Sequence, residues 1–285
     1  AVMRNHVISL YDYTGEALRP WAEAGYQCFA YDIQHERFAH DIQHEGFGRR
    51  VEGNITYIHA DLYNPDTLLE IIARHGTEAC FMSAFPPCTD LAASGARWWS
   101  KKAEANPLFQ DEAAAHVQRC MVVGKALDCP FYIENPIGAL TRLWRKPDHK
   151  FDPCDYGGYL PEDDVHPRWP DVIPPRDGYR KKTCLWTGGS FKMPRQNAVA
   201  HKTMTYERKD PKKGRNFSPV HGLTGGKSAR TKNIRSATPR GFARAVFLAN
   251  ADYSWKTIGY AGRCEVVLGG VRDYGNGVIV KGLID

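Results

Sequence analysis

Short apolar runs alternate with helical stretches from His6 to Ile133, and no other feature restricts the possible folds of this chain as strongly. HVISLY (His6 to Tyr11) reads as a buried strand, followed by a turn at Thr14–Gly15 and a helix from Glu16 to Ala24 that stops at Gly25. Tyr26 to Ile33 and Ile55 to His59 read as the second and third strands. Pro65 to Arg74 opens with proline and carries apolar residues at helical spacing, so it is a helix ending near Gly76. Ala79 to Phe85 is a fourth strand, Gln110 to Leu127 a long helix, and Pro130 to Ile133 a fifth strand. Strands separated by helices cannot close as hairpins. Their crossovers make neighbours parallel, so the expected architecture is α/β, a doubly wound and mostly parallel sheet.

After Lys146 the texture changes. Residues 147 to 180 are rich in Pro, Gly and Asp, and a basic stretch follows. Ala237 to Asn250 returns to a helical pattern with Pro239 near its start, and the tail from Tyr253 reads as strands joined by Gly-rich turns, with Asn276–Gly277 a hairpin signal. Tyr31 to Ala39 is followed by a near-duplicate, His40 to Gly48. Two copies are too few for a solenoid, so the repeat reads as a lengthened surface connection without chemistry.

Charge is unevenly spread. Between Lys202 and Arg235 ten basic residues face only Glu207 and Asp210, a local excess of eight, whereas the whole chain carries +6. The remainder is therefore slightly acidic, and a basic segment in such a chain points to a polyanion partner. No apolar run reaches the length of a membrane span, and no export signal is evident from Ala1 to Leu10. The eight cysteines form no CxxC pair and no zinc spacing, so neither a metal nor a disulfide framework is expected, and a reducing cytoplasm is the natural setting.

Open α/β sheets bind ligands at the carboxyl ends of their strands. The first strand runs into Tyr11-Asp12-Tyr13-Thr14-Gly15, the second reaches Asp32, and the third leads to Asp61. An acidic residue after the second strand commonly holds a ribose by its hydroxyls. The fourth strand runs into Phe85-Pro86-Pro87-Cys88, where two prolines stiffen the backbone just as a cysteine leaves the sheet. The fifth runs into Glu134-Asn135-Pro136 on the same rim. A thiolate beside a carboxylic acid suits addition to an electron-poor ring with protonation at a ring nitrogen.

These segments resemble the DNA (cytosine-5)-methyltransferases, in the compact form found in bacteriophages and prophages. Leu10-Tyr11-Asp12-Tyr13-Thr14-Gly15, running on to Ala24-Gly25-Tyr26, is similar to the family's Leu-Phe-x-Gly-x-Gly through Ala-Gly-Phe. Pro87-Cys88-Thr89-Asp90-Leu91-Ala92-Ala93-Ser94-Gly95 resembles its Pro-Cys-Gln-x-Phe-Ser-x-x-Gly loop, and Phe131 to Pro136 its Phe-x-x-Glu-Asn-Val. Arg235-Ser236-Ala237-Thr238-Pro239 resembles the closing Asn-Ser-Val-Pro-Pro motif. The match covers roughly residues 7 to 140 and 235 to 250.

The resemblance implies a Rossmann-like class I methyltransferase fold. Its S-adenosylmethionine-binding catalytic domain would cover residues 1–186, a small basic target-recognition region 187–235, a closing helix 236–252, and a β-rich tail 253–285. The cofactor would be held by Tyr11, Asp12, Thr14, Gly15, Asp32, Asp61, Pro86 and Ser236. A cytosine flipped out of double-stranded DNA would be attacked at C6 by Cys88, protonated at N3 by Glu134, and methylated at C5, with Asn135 positioning the motif around the base. Arg180 and Lys182 match the Arg-x-Arg spacing of a further family motif and join the expected catalytic set. DNA phosphates would be met by Arg97, Lys209, Lys212, Lys213, Arg215, Lys227, Arg230 and Lys232, which set affinity but not sequence. Trp98 and Trp99, beside Arg97, are placed to stack on DNA or to pack a loop.

The chain departs from the family pattern at Ser9, Tyr13 and Glu16, where Asp, Gly and Gly are usual, and at Thr89, Ala92 and Pro136. These departures keep two other readings open: the same covalent chemistry on RNA, a nucleotide or with another one-carbon donor, and a catalytically idle DNA-binding relative. The expected partner is double-stranded DNA and the expected state a monomer.

Overall fold

The computed structural model describes residues 4–35, 49–206, 215–224 and 228–251. The chain divides into two compact units, Ala1–Asn250 and Ala251–Asp285. The strands expected after Tyr253 and most of the duplicated segment lie outside the described residues.

Five strands expected from the sequence form and run parallel: β1 (His6–Leu10), β2 (Gln27–Asp32), β4 (Ile55–His59), β5 (Ala79–Ala84) and β6 (Phe131–Pro136). They stand in the order β4-β2-β1-β5-β6, so the winding direction reverses between β1 and β5. That reversal opens a crevice outside the carboxyl ends of the two strands, where doubly wound sheets take their ligands. Three strands that the sequence patterns did not announce complete a mixed eight-stranded sheet. β3 (Arg49–Glu52) pairs antiparallel with β4 at one edge. β8 (Thr183–Gly188) pairs antiparallel with β6, and β7 (His149–Phe151) antiparallel with β8, at the other.

The helices are α1 (Arg19–Glu23), α2 (Pro65–His75), α3 (Trp99–Ala105), α4 (Phe109–Ala126), α5 (Leu140–Leu143), α6 (Pro219–Gly222), α7 (Ala229–Ser236) and α8 (Arg240–Asn250). The helix expected from Glu16 forms only from Arg19, because Gly15 at φ +69° and the buried turn through Leu18 occupy its first residues. A short antiparallel ribbon, β9 (Met204–Tyr206) with β10 (Arg215–Phe217), lies in the basic segment.

Strand periodicity divides the core into two layers. Ile8, Leu10, Met82, Ala84, Phe131 and Ile133 pack with Val117, Cys120 and Val123 of α4 and with Leu127 at its end. On the opposite face Trp21 of α1 stacks on Phe81 with centroids 4.7 Å apart and meets Phe247 of α8 edge-on. Phe242 of α8 stacks on Phe151 at 4.1 Å and meets Tyr132 edge-on. These aromatic contacts seat α8, and with it the Ser236–Pro239 stretch, beside the carboxyl end of β6.

At the amino-terminal end of the sheet, a buried imidazole pair joins β1 to α2. His6 Nδ1 lies 3.0 Å from His75 Nδ1, and His75 Nε2 lies 2.7 Å from the Tyr31 hydroxyl. His75 is fully buried, and burial pushes it down to about 3, with His6 lowered for the same reason. A histidine kept neutral by folding stabilises fully above its unfolded value near 6.5 and loses that contribution as pH falls towards the folded value. We therefore expect stability to drop between pH 7.5 and 5 by about 1.4 kcal/mol per unit below 6.5 for His75. Urea midpoints across that range check this, and His75→Gln should flatten the dependence.

Candidate active site

β1 ends in an unusual bend. Tyr11 sits at φ 57°, a left-handed conformation that a tyrosine adopts only when its surroundings enforce it. Its hydroxyl donates to the Leu62 carbonyl at 3.1 Å, and its ring lies edge-on to Tyr63. The buried Asp12 carboxylate shapes the next residues: it accepts from Ser9 Oγ at 2.8 Å, Thr14 Oγ1 at 3.2 Å and the Gly15 amide at 2.7 Å. Burial raises its proton affinity against the pull of those donors. Gly15 is required here, since a Cβ would come within 2.6 Å of the Tyr57 hydroxyl. Asp12, Thr14 and Gly15 are thus engaged in building the loop itself.

The residues that depart from the family pattern are absorbed into the surrounding packing. Ser9 bridges Asp12 and Ser83, whose Oγ donates to it at 2.9 Å. Tyr13 stacks on His35 at 5.8 Å. Glu16 is 1% exposed, with Arg19 at 3.3 Å and Arg168 at 3.8 Å. Burial raises its proton affinity, and the two guanidinium groups oppose that shift.

Asp32 closes β2 on the same rim. One carboxylate oxygen accepts from the Gln34 backbone amide at 2.7 Å, and the Gln34 side chain also hydrogen-bonds the group. Burial raises Asp32 to about 6. Asp61, exposed after β4, turns back to accept from the Tyr63 amide at 3.0 Å. Both acids lie on the β2–β4 side of the crevice that the sheet order opens.

Cys88 leaves β5 in a tight turn whose carbonyl accepts from the Leu91 and Ala92 amides at 3.0 and 2.8 Å. The residue is a free cysteine of intermediate exposure. Pro86 is buried, and its carbonyl accepts from Asn135 Nδ2 at 2.9 Å, which ties the end of β5 to β6. Glu134 projects from the opposite face of β6, the face that carries Tyr132. It lines a cleft with Phe85, Phe151, Lys181, Thr183 and residues from Ser236 to Phe242. Its Oε1 is buried and has no hydrogen-bond partner.

The strand register explains which basic residue arrives there. β8 pairs Leu185 with Glu134 and Thr183 with Pro136. Leu185 and Thr183 therefore share the sheet face of Glu134, Thr183 lining the cleft, and Lys181, which lines it too, continues that parity. Lys181 Nζ lies 4.0 Å from Glu134 Oε1. The two residues at Arg-x-Arg spacing are placed elsewhere: Arg180 is exposed, and Lys182 pairs with Asp152. The basic partner of the site is Lys181, one position off the spacing read from the sequence.

Electrostatics couple the three groups. Burial, and then the Glu134 charge, push the Cys88 thiol above its ordinary value, while Lys181 opposes the shift. Burial likewise raises Glu134, again against Lys181. A carboxyl whose proton affinity is raised by burial, a thiol whose ionisation depends on a neighbouring ammonium, and a carboxyl oxygen without a hydrogen-bond partner form a donor–nucleophile arrangement.

No protein-family model matches the chain, and no curated protein does. Among the described residues no group of three or more His, Cys, Asp and Glu is placed to hold a metal ion. No described helix is long and apolar enough to cross a membrane.

The expected phosphate-binding residues are scattered. Arg97 is exposed, its guanidinium 5.2 Å from the centre of the half-exposed Trp98 ring. Arg230 pairs with Asp171 at 2.9 Å, and Lys232 is exposed on α7. Arg215 lies on β10. Lys209, Lys212, Lys213 and Lys227 lie outside the described residues. Ser236, exposed at the end of α7, meets the Glu134 cleft.

Proposed function

We propose that the chain is a DNA (cytosine-5)-methyltransferase that uses S-adenosylmethionine and forms a covalent bond between Cys88 and its base. The observation that carries this reading is the Glu134 carboxyl: its Oε1 is buried without a hydrogen-bond partner, burial raises its proton affinity, and it shares one electrostatic neighbourhood with Cys88 and Lys181. Few reactions need a nucleophilic thiol and a neutral carboxylic acid on the same rim of an α/β sheet. Addition to C6 of a cytosine does, because the ring accepts the sulfur's electrons only if N3 takes a proton.

The rim fits the cofactor on this chain's own terms. Asp32, held by Gln34, keeps acceptor capacity for ribose hydroxyls, and Glu16 lies against Arg19 and Arg168 rather than towards the rim's ligand side chains. The Gly15 turn, with Tyr11 and Asp61 on either side, would hold the nucleoside, and Pro86 and Ser236 the amino-acid end. S-adenosylmethionine, when bound, supplies an electrophilic methyl group on a sulfonium.

In the mechanism that follows, the Cys88 thiolate bonds to C6 while Glu134 gives its proton to N3. Lys181, beside Glu134, donates to the ring's exocyclic oxygen and draws charge away from the adding sulfur. As C5 takes the methyl group, N3 returns its proton to Glu134; loss of the C5 proton to solvent then restores the C5=C6 double bond and expels the Cys88 thiolate. Asn135 acts through the Pro86 carbonyl, fixing the turn from which Cys88 projects. A base reaches this cleft only after flipping out of its duplex. The exposed Arg97–Trp98 pair and the basic segment supply the surface against which that DNA would lie.

The decisive measurement is the mass of the nucleosides after the protein is incubated with duplex DNA of mixed sequence and isotopically labelled S-adenosylmethionine. We expect cytosine heavier by one labelled methyl group. Unmodified cytosine would overturn the proposal, and a heavier adduct or product confined to RNA would redirect it to another donor or substrate.

A further inference from the structure

We infer that Gln110 and Arg142 are positioning residues that hold the Cys88 turn in register with Glu134. The inference rests on the covalent reading of that pair, and it arises from a hydrogen-bond chain with no counterpart among the sequence motifs. Gln110, in the first turn of α4, is 9% exposed, so both ends of its amide need partners. Its Nε2 donates to the Asp90 carbonyl at 3.1 Å, and its Oε1 accepts from Arg142 Nη2 at 2.7 Å. Arg142 belongs to α5, eight positions beyond Glu134 in the chain. The chain of bonds therefore connects the turn that carries the nucleophile to the segment that follows the acid's own strand.

A second set of bonds holds the far side of the same turn. The Ala93 amide donates to the Ile137 carbonyl at 2.9 Å, and the Ala139 amide to the Leu91 carbonyl at 2.8 Å. These bonds bring Gly138 so close that a Cβ there would lie 1.8 Å from the Leu91 oxygen. Lys102 pairs with the Asp90 carboxylate at a partly exposed position, where an ion pair contributes little. The buried amide of Gln110 is thus the side-chain contact able to set the height of Asp90, two residues from the sulfur. Small displacements matter at such a place: a shift of about 1 Å in a reacting group lowers rates by about 100-fold.

The test uses Arg142→Ala, a change at an exposed side chain that leaves the Gln110 oxygen without its donor. Two readouts should move in opposite directions. Released from its seat, Cys88 becomes more accessible, so its alkylation by iodoacetamide at pH 8, followed by peptide mass, should rise by roughly 3-fold or more. Covalent capture on a mixed-sequence duplex carrying 5-fluorocytosine, with S-adenosylmethionine present, should slow by roughly 10-fold or more. Buried Cys120 and Cys129 should stay unlabelled, and Arg142→Lys should restore part of both effects. Gln110→Leu, which fills the same space without the amide, should behave as Arg142→Ala does. Cys88 alkylation at the wild-type rate in both variants would overturn the inference, and so would labelling of Cys120 and Cys129 that rises in step. If wild-type protein captures no fluorinated base while Cys88 alkylation still responds to Arg142→Ala, the methyltransferase reading fails and the tether stands.

Discussion

Replacing Cys88 with serine should abolish methylated product while leaving DNA affinity close to that of the wild type. The reasons lie in the turn and in the partners of the sulfur. Serine is nearly isosteric, Cys88 is partly exposed, and the bonds that shape the turn are backbone bonds from Leu91 and Ala92, so the fold should not change. A hydroxyl at that position has a far higher proton affinity than a thiol and is a poor nucleophile without a base to activate it. Loss of a covalent nucleophile lowers turnover by about 10⁴-fold or more. Binding, in contrast, depends on phosphate contacts well away from the sulfur, so the dissociation constant and its salt dependence should hold. Product formation by Cys88→Ser at more than a hundredth of the wild-type rate would rule out covalent attack. Lost DNA binding would place Cys88 in the interface itself.

The contrast between what the sequence shows and what it conceals follows the physics of each element. The five parallel strands are apolar on both faces because helices cover both, and such runs are readable without neighbours. β7 and β8 are legible only through their partners: β7 has three residues, and β8 follows a stretch crowded with Pro, Gly and Asp. Missing β8 had a cost at the site, because its register decides which side chain enters the cleft. Arg180 and Lys182 share a strand face by their two-residue spacing, but Thr183 and Leu185 occupy the face towards Glu134, so the intervening Lys181 arrives there. The placement of Cys88 and Glu134 near one rim was legible because Cys88 follows the carboxyl end of β5 and Glu134 lies near that of β6, and the two strands are parallel neighbours. Gln110 and Arg142 were not, since a glutamine in a first helical turn and an arginine in a four-residue helix carry no pattern until the chain has folded.

Lys181→Met should lower turnover by about 10- to 100-fold and move the pH optimum upward. The ammonium favours the charged form of both partners: it pulls Cys88 and Glu134 down against the burial that raises them. Without it both proton affinities rise. The thiolate then appears only at higher pH, so the ascending limb of the profile shifts to alkaline values. Glu134 keeps its proton to higher pH as well, so the descending limb moves in the same direction. The loss at the optimum reflects the missing charge-assisted donor to the base, a contact worth about 1.5–3 kcal/mol. Lys181→Arg keeps the charge and should leave the limbs near their wild-type positions, although its longer fork fits the 4.0 Å approach to Glu134 less well. A profile of kcat against pH for the three proteins distinguishes the cases. An unmoved profile in Lys181→Met would mean that the ammonium does not govern the pair, and that the Coulombic coupling across this cleft is screened by solvent before it reaches the sulfur.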